Sequence, residues 1–184
     1  MKTMNDDQIK ADRNGKAVVY KYLCDTFQNA VTKIFDTDHR NTTARYDLLV
    51  QYANGFINLI EVKTRDCNSV KSPFSLNGKQ CYATTLIHKE KVDTLNQEAE
   101  KCGGAKAILY IYYADKALYV FDCKTIAEQA KVVYSDNHYS KLSSDRMTKS
   151  WKYEFPFSLG TFLGFYEVPD LNMEFFDKNV EEYI

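Results

Sequence analysis

Three charged residues in the first third of the chain have the types and the spacing of a metal site that hydrolyses phosphodiester bonds. Asp47 lies in the run 45–52, and Glu61 and Lys63 lie in the run 56–64. Two close carboxylates repel each other, and a hard divalent cation relieves that repulsion through oxygen ligands. Such a cation, Mg²⁺ with Mn²⁺ as a substitute, can stabilise charge on a phosphate and activate water. A nearby lysine can orient that water.

The two runs that carry these residues are predicted to form a β-hairpin. Both are apolar and β-prone, and residues 53–55 between them contain Asn-Gly, a strong turn signal. Glu61 and Lys63 are separated by one residue, so on a strand they share a face from which Val62 points away. Both faces of the hairpin are largely apolar, which predicts a central position in a covered sheet.

The length of the turn decides whether Asp47 joins that face. A two-residue loop would pair Asp47 with Val62 on the opposite face, whereas a three-residue loop pairs it with Glu61. The last position of a three-residue loop favours a left-handed backbone, and Gly55 occupies that position. The sequence is therefore compatible with Asp47, Glu61 and Lys63 on one face.

Helices are predicted on both sides of this hairpin. Apolar residues at helical spacing predict a first helix over residues 6–30. Asn77 and Gln80 resemble a capping box, which predicts a second helix that starts there, with a break near His88 and a helical stretch that continues to Lys101. The other predictions are a strand at 31–36, a second hairpin of 107–113 and 117–121, a short helix at 125–131 and a loop at about 134–150.

This order of elements indicates an α/β sandwich with a mixed sheet. The 184 residues suffice for one domain, 1–184, with an aromatic-rich C-terminal extension at about 151–184. Aromatic residues alternate from Trp151 to Phe157, which fits a strand that packs on the core or on a dimer partner.

The composition limits the possible partners and location. The formal net charge is −1, so a nucleic acid would have to be held by a local patch, a dimer groove or bound metal. The N-terminus is polar and no apolar run has membrane-spanning length, so we expect a cytoplasmic protein without a membrane partner. The scattered cysteines and histidines show no zinc spacing.

Asp47, thirteen intervening residues and then Glu61-Val62-Lys63 resemble the PD-(D/E)XK nuclease superfamily. A closer resemblance is to the RecU-type Holliday junction resolvases. The residues that carry it, in family order, are Thr42-Thr43, Glu61-Val62-Lys63, Ser72-Pro73-Phe74-Ser75-Leu76, Gln80, Gly103-Gly104 and Phe155-Pro156-Phe157-Ser158-Leu159-Gly160.

This resemblance implies a restriction-endonuclease-like α-β-β-β-α-β core and a Mg²⁺-dependent DNA endonuclease, with Holliday junction resolution as the more specific activity. It implies that Asp47, Glu61 and Gln80 bind the metal and that Lys63 is catalytic. The glutamate often found on the superfamily's first helix has no clear counterpart, because Gly15-Lys16-Ala17 occupies its place.

Basic residues near the motif are candidates for DNA contacts. Arg65, Lys71 and Lys79 follow it and could contact phosphates, although each alone is also explained as solvated loop charge. Arg13 and Lys16 on the first helix could face DNA, with a solvated helix face as the default. A homodimer would place two sites on two strands and gather basic groups that one chain lacks.

Other interpretations remain open. One is a restriction or phage-type nuclease with the same chemistry. Another is a catalytically inactive nuclease-like protein that acts in binding or inhibition, which the acidic balance favours. A third is an unrelated α/β domain in which Glu61 and Lys63 form only a surface ion pair. Gln80 could likewise be only a capping residue.

Overall fold

The computed structural model describes residues 6–37, 45–66, 69, 74–76, 79–81, 84–136 and 149–170. Its elements in chain order are α1 (Asp6–Thr26), β1 (Val31–Asp36), β2 (Leu48–Tyr52), β3 (Ile57–Arg65), β4 (Phe74–Leu76), β5 (Lys79–Cys81), β6 (Thr84–His88), α2 (Lys89–Lys101), β7 (Lys106–Tyr113), β8 (Ala117–Asp122), α3 (Cys123–Gln129), β9 (Lys131–Asp136), β10 (Lys149–Pro156), a 3₁₀ turn (Phe157–Leu159) and β11 (Thr161–Phe165).

A six-stranded mixed sheet forms the centre of the fold, in the order β1-β2-β3-β7-β8-β11. The β3–β7 pair is parallel and the other neighbours are antiparallel. Helix α1 packs on one face, and α2 and α3 pack on the other. The predicted α/β class and the α-β-β-β-α-β order are confirmed, with the short strands β4 to β6 inserted between β3 and α2.

Helix α1 lies unusually close to β3. Its apolar residues Val18, Val19 and Leu23 are at most 1% exposed and pack on the central sheet. A Cβ added at Gly15 would lie 2.4 Å from Thr64 Oγ1, so only glycine permits this approach. The close packing of α1 on β3 therefore explains why glycine occurs at position 15, although glycine inside a helix is otherwise destabilising by about 1 kcal/mol.

The second face of the central sheet carries a smaller three-stranded sheet, ordered β6-β10-β9, beside α2 and α3. Tyr153 and Phe155 of β10 are buried in this layer, which confirms the predicted strand in the aromatic stretch. Trp151 of the same strand is 58% exposed. The run 110–113 lies buried in β7, as expected for an interior strand.

The prediction that a helix begins at Asn77 is wrong, whereas the predicted break near His88 and the helical stretch to Lys101 are confirmed. Residues 79–81 and 84–88 are strands, and α2 begins only at Lys89. Strand β5 pairs with β4 in a short hairpin, and β6 pairs with the distant β10, with Thr85 and Ile87 buried. A local capping pattern could not reveal that remote partner. Asn77 itself lies outside the described residues.

The predicted loop at about 134–150 is also wrong at both ends. Strand β9 continues to Asp136 and β10 begins at Lys149, where the two residues pair. Residues 137–148 between them lie outside the described part of the chain. Within the described residues, no helix combines the length and apolar character needed to cross a membrane.

Candidate active site

The β2–β3 hairpin has the register that the candidate site requires. Leu48 pairs with Ile60 and Gln51 pairs with Ile57. The turn spans residues 53–55 and ends on Gly55 at φ 83°, which confirms the three-residue loop. Continued by one residue, this register places position 47 opposite position 61, at the point where β3 extends beyond its partner strand.

Asp47 precedes β2 and is held against β3 by two hydrogen bonds. Its backbone N–H donates to the Ile60 carbonyl oxygen at 2.8 Å, and its Oδ2 accepts from the Val62 N–H at 2.7 Å. The residue is 8% exposed. Burial and the nearby Glu61 carboxylate raise the pKa of Asp47 from 3.8 to about 6, although Lys63, Lys16 and the Val62 N–H oppose the change.

Glu61 is 3% exposed and lies between two ammonium groups. Lys63 Nζ is 2.5 Å from its Oε1, and Lys91 Nζ, on α2, is 3.3 Å from its Oε2. The contact with Lys63 is close enough for an ion pair, but Oε1 has no partner in good hydrogen-bond geometry among the described residues. Desolvation lowers the pKa of Lys63, but the carboxylates of Glu61 and Asp47 outweigh it and raise that pKa overall.

A third lysine reaches the site from the other face of the sheet. Lys16 is 5% exposed, so its interpretation as part of a solvated helix face is wrong. Its Nζ lies 3.2 Å from Asp12 Oδ2, 3.8 Å from Asp36 Oδ1 and 3.9 Å from Asp47 Oδ1. Position 16 precedes the buried Val19 by three residues, so helical spacing already places Lys16 on the apolar stripe of α1.

The structure thus brings Asp47, Glu61 and Lys63 together and adds Lys16 and Lys91. Lys91 gave no signal in the sequence, because its approach to Glu61 depends on how α2 packs across β3.

The other candidates are placed differently. Arg65 Nη2 donates to the Leu86 carbonyl oxygen at 2.5 Å, which holds the guanidinium against β6. Gln80 and Lys79 lie in the strand β5, not on a helix, and Lys71 lies outside the described residues. The side chains of residues 79 and 80 are likewise outside the description.

These residues fit a magnesium ion held by few protein ligands. In the described part of the chain, no three His, Cys, Asp or Glu side chains converge in the manner of a dedicated metal cage. Mg²⁺ commonly uses one or two carboxylates and takes its remaining ligands from water and substrate phosphate. Asp47 and Glu61 supply two carboxylates. The raised pKa of Asp47 indicates that its carboxylate lacks enough positive charge nearby to offset its burial and the charge of Glu61.

Comparison with known proteins gives little beyond the fold. No model of a protein family matches the chain, and no curated protein sequence matches it. The structure is similar to that of Hjc, a Holliday junction resolvase from the archaeal hyperthermophile Archaeoglobus fulgidus. The TM-score is 0.46 and the identity 13%, over 83% of this chain and 98% of that chain.

Proposed function

We propose that this protein is a Mg²⁺-dependent DNA endonuclease whose active site is formed by Asp47, Glu61 and Lys63. The observation that carries the proposal is the pair of carboxylates at the β2–β3 junction, 8% and 3% exposed, with Lys63 Nζ 2.5 Å from Glu61. Buried carboxylates are costly, and titratable groups with a shifted pKa, such as Asp47, concentrate at functional sites.

Each residue has a distinct role in this proposal. Asp47 and Glu61 hold the metal, which lowers the pKa of a bound water and neutralises charge on the scissile phosphate. Lys63 orients the attacking water or offsets charge that develops on the phosphate. Gln80 remains a proposed further metal ligand. Arg65, Lys71 and Lys79 remain proposed phosphate contacts.

The finer parts of the proposal concern substrate and assembly. We propose branched DNA, such as a Holliday junction, as the substrate and a homodimer as the active form. The resemblance of the motif order to RecU-type resolvases supports the substrate. The net charge of −1 supports the dimer, because two chains can line one groove with basic groups that a single chain lacks.

Cleavage assays with Mg²⁺ on a linear duplex and on a four-way junction test this function. We expect Asp47→Asn and Glu61→Gln each to lose on the order of 100-fold or more in rate, because each removes a ligand charge. Asp25→Asn is the matched control, because that carboxylate is exposed on α1. Cleavage that persists in both site variants contradicts the site assignment.

The same assay tests the finer proposals. Equal cutting of linear and branched DNA contradicts the resolvase activity and supports a restriction or phage-type nuclease. Light scattering of the purified protein measures the oligomeric state, and a monomer contradicts the proposed homodimer.

A second candidate function is a catalytically inactive nuclease-like binding protein. The observation that favours it is the set of ammonium groups around the carboxylates: Lys16 lies within 4 Å of Asp47, and Lys63 and Lys91 lie within 4 Å of Glu61. These cations could replace the metal altogether. Calorimetric titration with Mg²⁺ and Mn²⁺ distinguishes the two: binding that disappears in Glu61→Gln supports the enzyme, and no binding to the wild type supports the inactive protein.

A further inference from the structure

We propose that a cleft between α2 and the β9–β10 pair binds an unpaired base of a DNA strand. This proposal rests on the proposed nuclease function and adds a substrate contact to it. The cleft has a volume of about 640 Å³, and its wall includes Tyr134, Lys149 and Trp151 on the sheet and Lys89, Thr94 and Gln97 on α2. That volume lies within the range of small-molecule sites and suits a nucleobase with its sugar.

One wall of the cleft is an exposed aromatic surface. Trp151 and Tyr134 pair across β10 and β9, with ring centroids 5.0 Å apart. They are 58% and 57% exposed, whereas Tyr153, two residues further on the same face of β10, is 4% exposed. The aromatic face of the small sheet therefore continues past the core into solvent, where a planar base could stack on it.

The opposite wall is polar and nearly neutral. Thr94 and Gln97 are three residues apart on α2, so their hydroxyl and amide groups lie on one side of the helix. Asp93 is already engaged, because it accepts hydrogen bonds from Lys89 Nζ and from the Tyr153 hydroxyl. Across the cleft, Lys149 on the sheet balances Glu90 on α2 in charge. Such a wall suits the hydrogen-bonding edge of a base better than it suits a phosphate.

The cleft and the candidate active site lie on two sides of the first turns of α2. Lys91 points from this helix to Glu61, at 3.3 Å, while Lys89 borders the cleft. His88, which also lines the cleft, lies opposite Lys152 in the β6–β10 strand pair. Burial, and after it the charges of Lys152 and Lys63, lowers the pKa of His88. We infer that a strand whose phosphate is held through the proposed metal at Asp47 and Glu61 would run past His88, so that a neighbouring base enters the cleft.

Trp151 is the only tryptophan of the chain, so its fluorescence reports on the cleft directly. The test titrates the wild-type protein, with Ca²⁺ in place of Mg²⁺, with a short single-stranded oligonucleotide and with a matched oligonucleotide whose sugar–phosphate backbone lacks bases. We expect strong quenching by the first and none by the second. Equal quenching by both, or none by either, overturns the proposal.

Fluorescence polarisation of a labelled oligonucleotide gives the energetic test. We expect Trp151→Ala to weaken binding about 5- to 150-fold, since stacking of one base on an aromatic side chain contributes about 1–3 kcal/mol. Trp151→Phe should restore most of the affinity. Phe162→Ala is the control, because Phe162 is 43% exposed on the distant strand β11. An unchanged affinity in Trp151→Ala overturns the proposal, as does failure of Trp151→Phe to bind better than the alanine variant.

These outcomes are separable from failure of the nuclease function. If the bases cause quenching but no DNA is cleaved, the nuclease function is contradicted and base binding in the cleft is supported. If cleavage requires Asp47 and Glu61 but the bases cause no quenching, the nuclease function is supported and base binding in the cleft is contradicted.

Discussion

Lys16 places a buried ammonium group within 3.9 Å of the carboxylates of Asp12, Asp36 and Asp47. An uncompensated buried charge is strongly unfavourable, so this lysine makes the cluster tolerable when no metal is bound. It is also the part of the site that differs most from the resemblance, which places an acid on the first helix. The Asp12 carboxylate, one turn before Lys16, is the acidic group that α1 does bring to the cluster.

Replacing Lys16 with methionine should lower the free energy of unfolding by about 3–5 kcal/mol, because the carboxylates lose a buried partner. Lys21→Met is the matched control on the same helix. Lys21 pairs with Asp25 at 2.7 Å but is 50% exposed, so its loss should cost at most about 0.5 kcal/mol. Urea denaturation in EDTA measures both variants, and equal losses would contradict the buried role of Lys16.

Asp47→Asn should stabilise the metal-free protein at neutral pH while abolishing cleavage. The folded-state pKa of Asp47, about 6, exceeds the ordinary 3.8, so between these pH values the folded chain binds more protons than the unfolded chain. Stability therefore falls as pH rises through this window, by about 3 kcal/mol at about 1.4 kcal/mol for each tenfold change in proton affinity. Because asparagine does not titrate, the stability of Asp47→Asn should not fall in this way as the pH rises.

Urea denaturation in EDTA at about pH 4 and about pH 7.5 checks this prediction. Wild type and Asp47→Asn should have similar stability at the lower pH, and the variant should be more stable at the higher pH. A variant that is less stable at about pH 7.5 would contradict the raised pKa.

At the scale of residues, the sequence predicted that Asp47, Glu61 and Lys63 lie together, but it did not predict the side chains that surround them. Asp47, Glu61 and Lys63 could be singled out because strand alternation and turn length are local properties. The lysines that offset the charge of the carboxylates could not be predicted from local patterns. Lys91 meets Glu61 only through the packing of α2 on β3. Lys16 is buried, although a lysine on a helix is usually solvated.

At the scale of elements, the contact between α1 and β3 positions one side of the site. The helix lies close enough for Thr64 Oγ1 to donate to the Ala11 carbonyl oxygen at 3.0 Å, and Gly15 faces the same side chain. Lys16 follows Gly15 directly. The distance of α1 from the sheet therefore controls where the buried ammonium group lies relative to Asp47.

Gly15→Ala should destabilise the protein by about 1–3 kcal/mol, because the new methyl group would lie 2.4 Å from Thr64 Oγ1. Thr64→Ala removes that oxygen, so the double variant should recover part of the loss in a double-mutant cycle. Arg13→Ala, at an exposed position of α1, is the control. A Gly15→Ala protein as stable as the wild type would show that α1 can move away freely.

Elements that depend on local contacts were predicted correctly, whereas an element that depends on a distant partner was not. Both hairpins were predicted, because Gly55 and the Asp115-Lys116 turn encode them locally, and Lys116 does adopt φ 67°. The segment at 84–88 was misassigned to a helix because its partner β10 lies far along the chain. Thr84, Thr85 and Ile87 are β-branched, a composition that favours a strand over a helix.

For the whole molecule, the net charge of −1 makes metal the expected source of DNA affinity. Ca²⁺ should strengthen binding of junction DNA on the order of 10-fold relative to EDTA, because a cation at Asp47 and Glu61 converts a local repulsion of phosphate into attraction. Polarisation measurements at two salt concentrations check this effect and its screening. Glu61→Gln should remove the Ca²⁺ dependence, and binding that is equally strong in EDTA would contradict the prediction.

The parallel pairing of β3 with β7 also implies an order in which the parts of the site form during folding. The β2–β3 hairpin closes locally, whereas β3 and β7 are separated in the chain by β4, β5, β6 and α2. Contacts between distant segments form later, because loop-closure entropy opposes them. A newly made chain therefore assembles Asp47 and Glu61 before α2 delivers Lys91. During that interval Glu61 lacks the ammonium group of Lys91 and has Lys63 as its neighbouring cation.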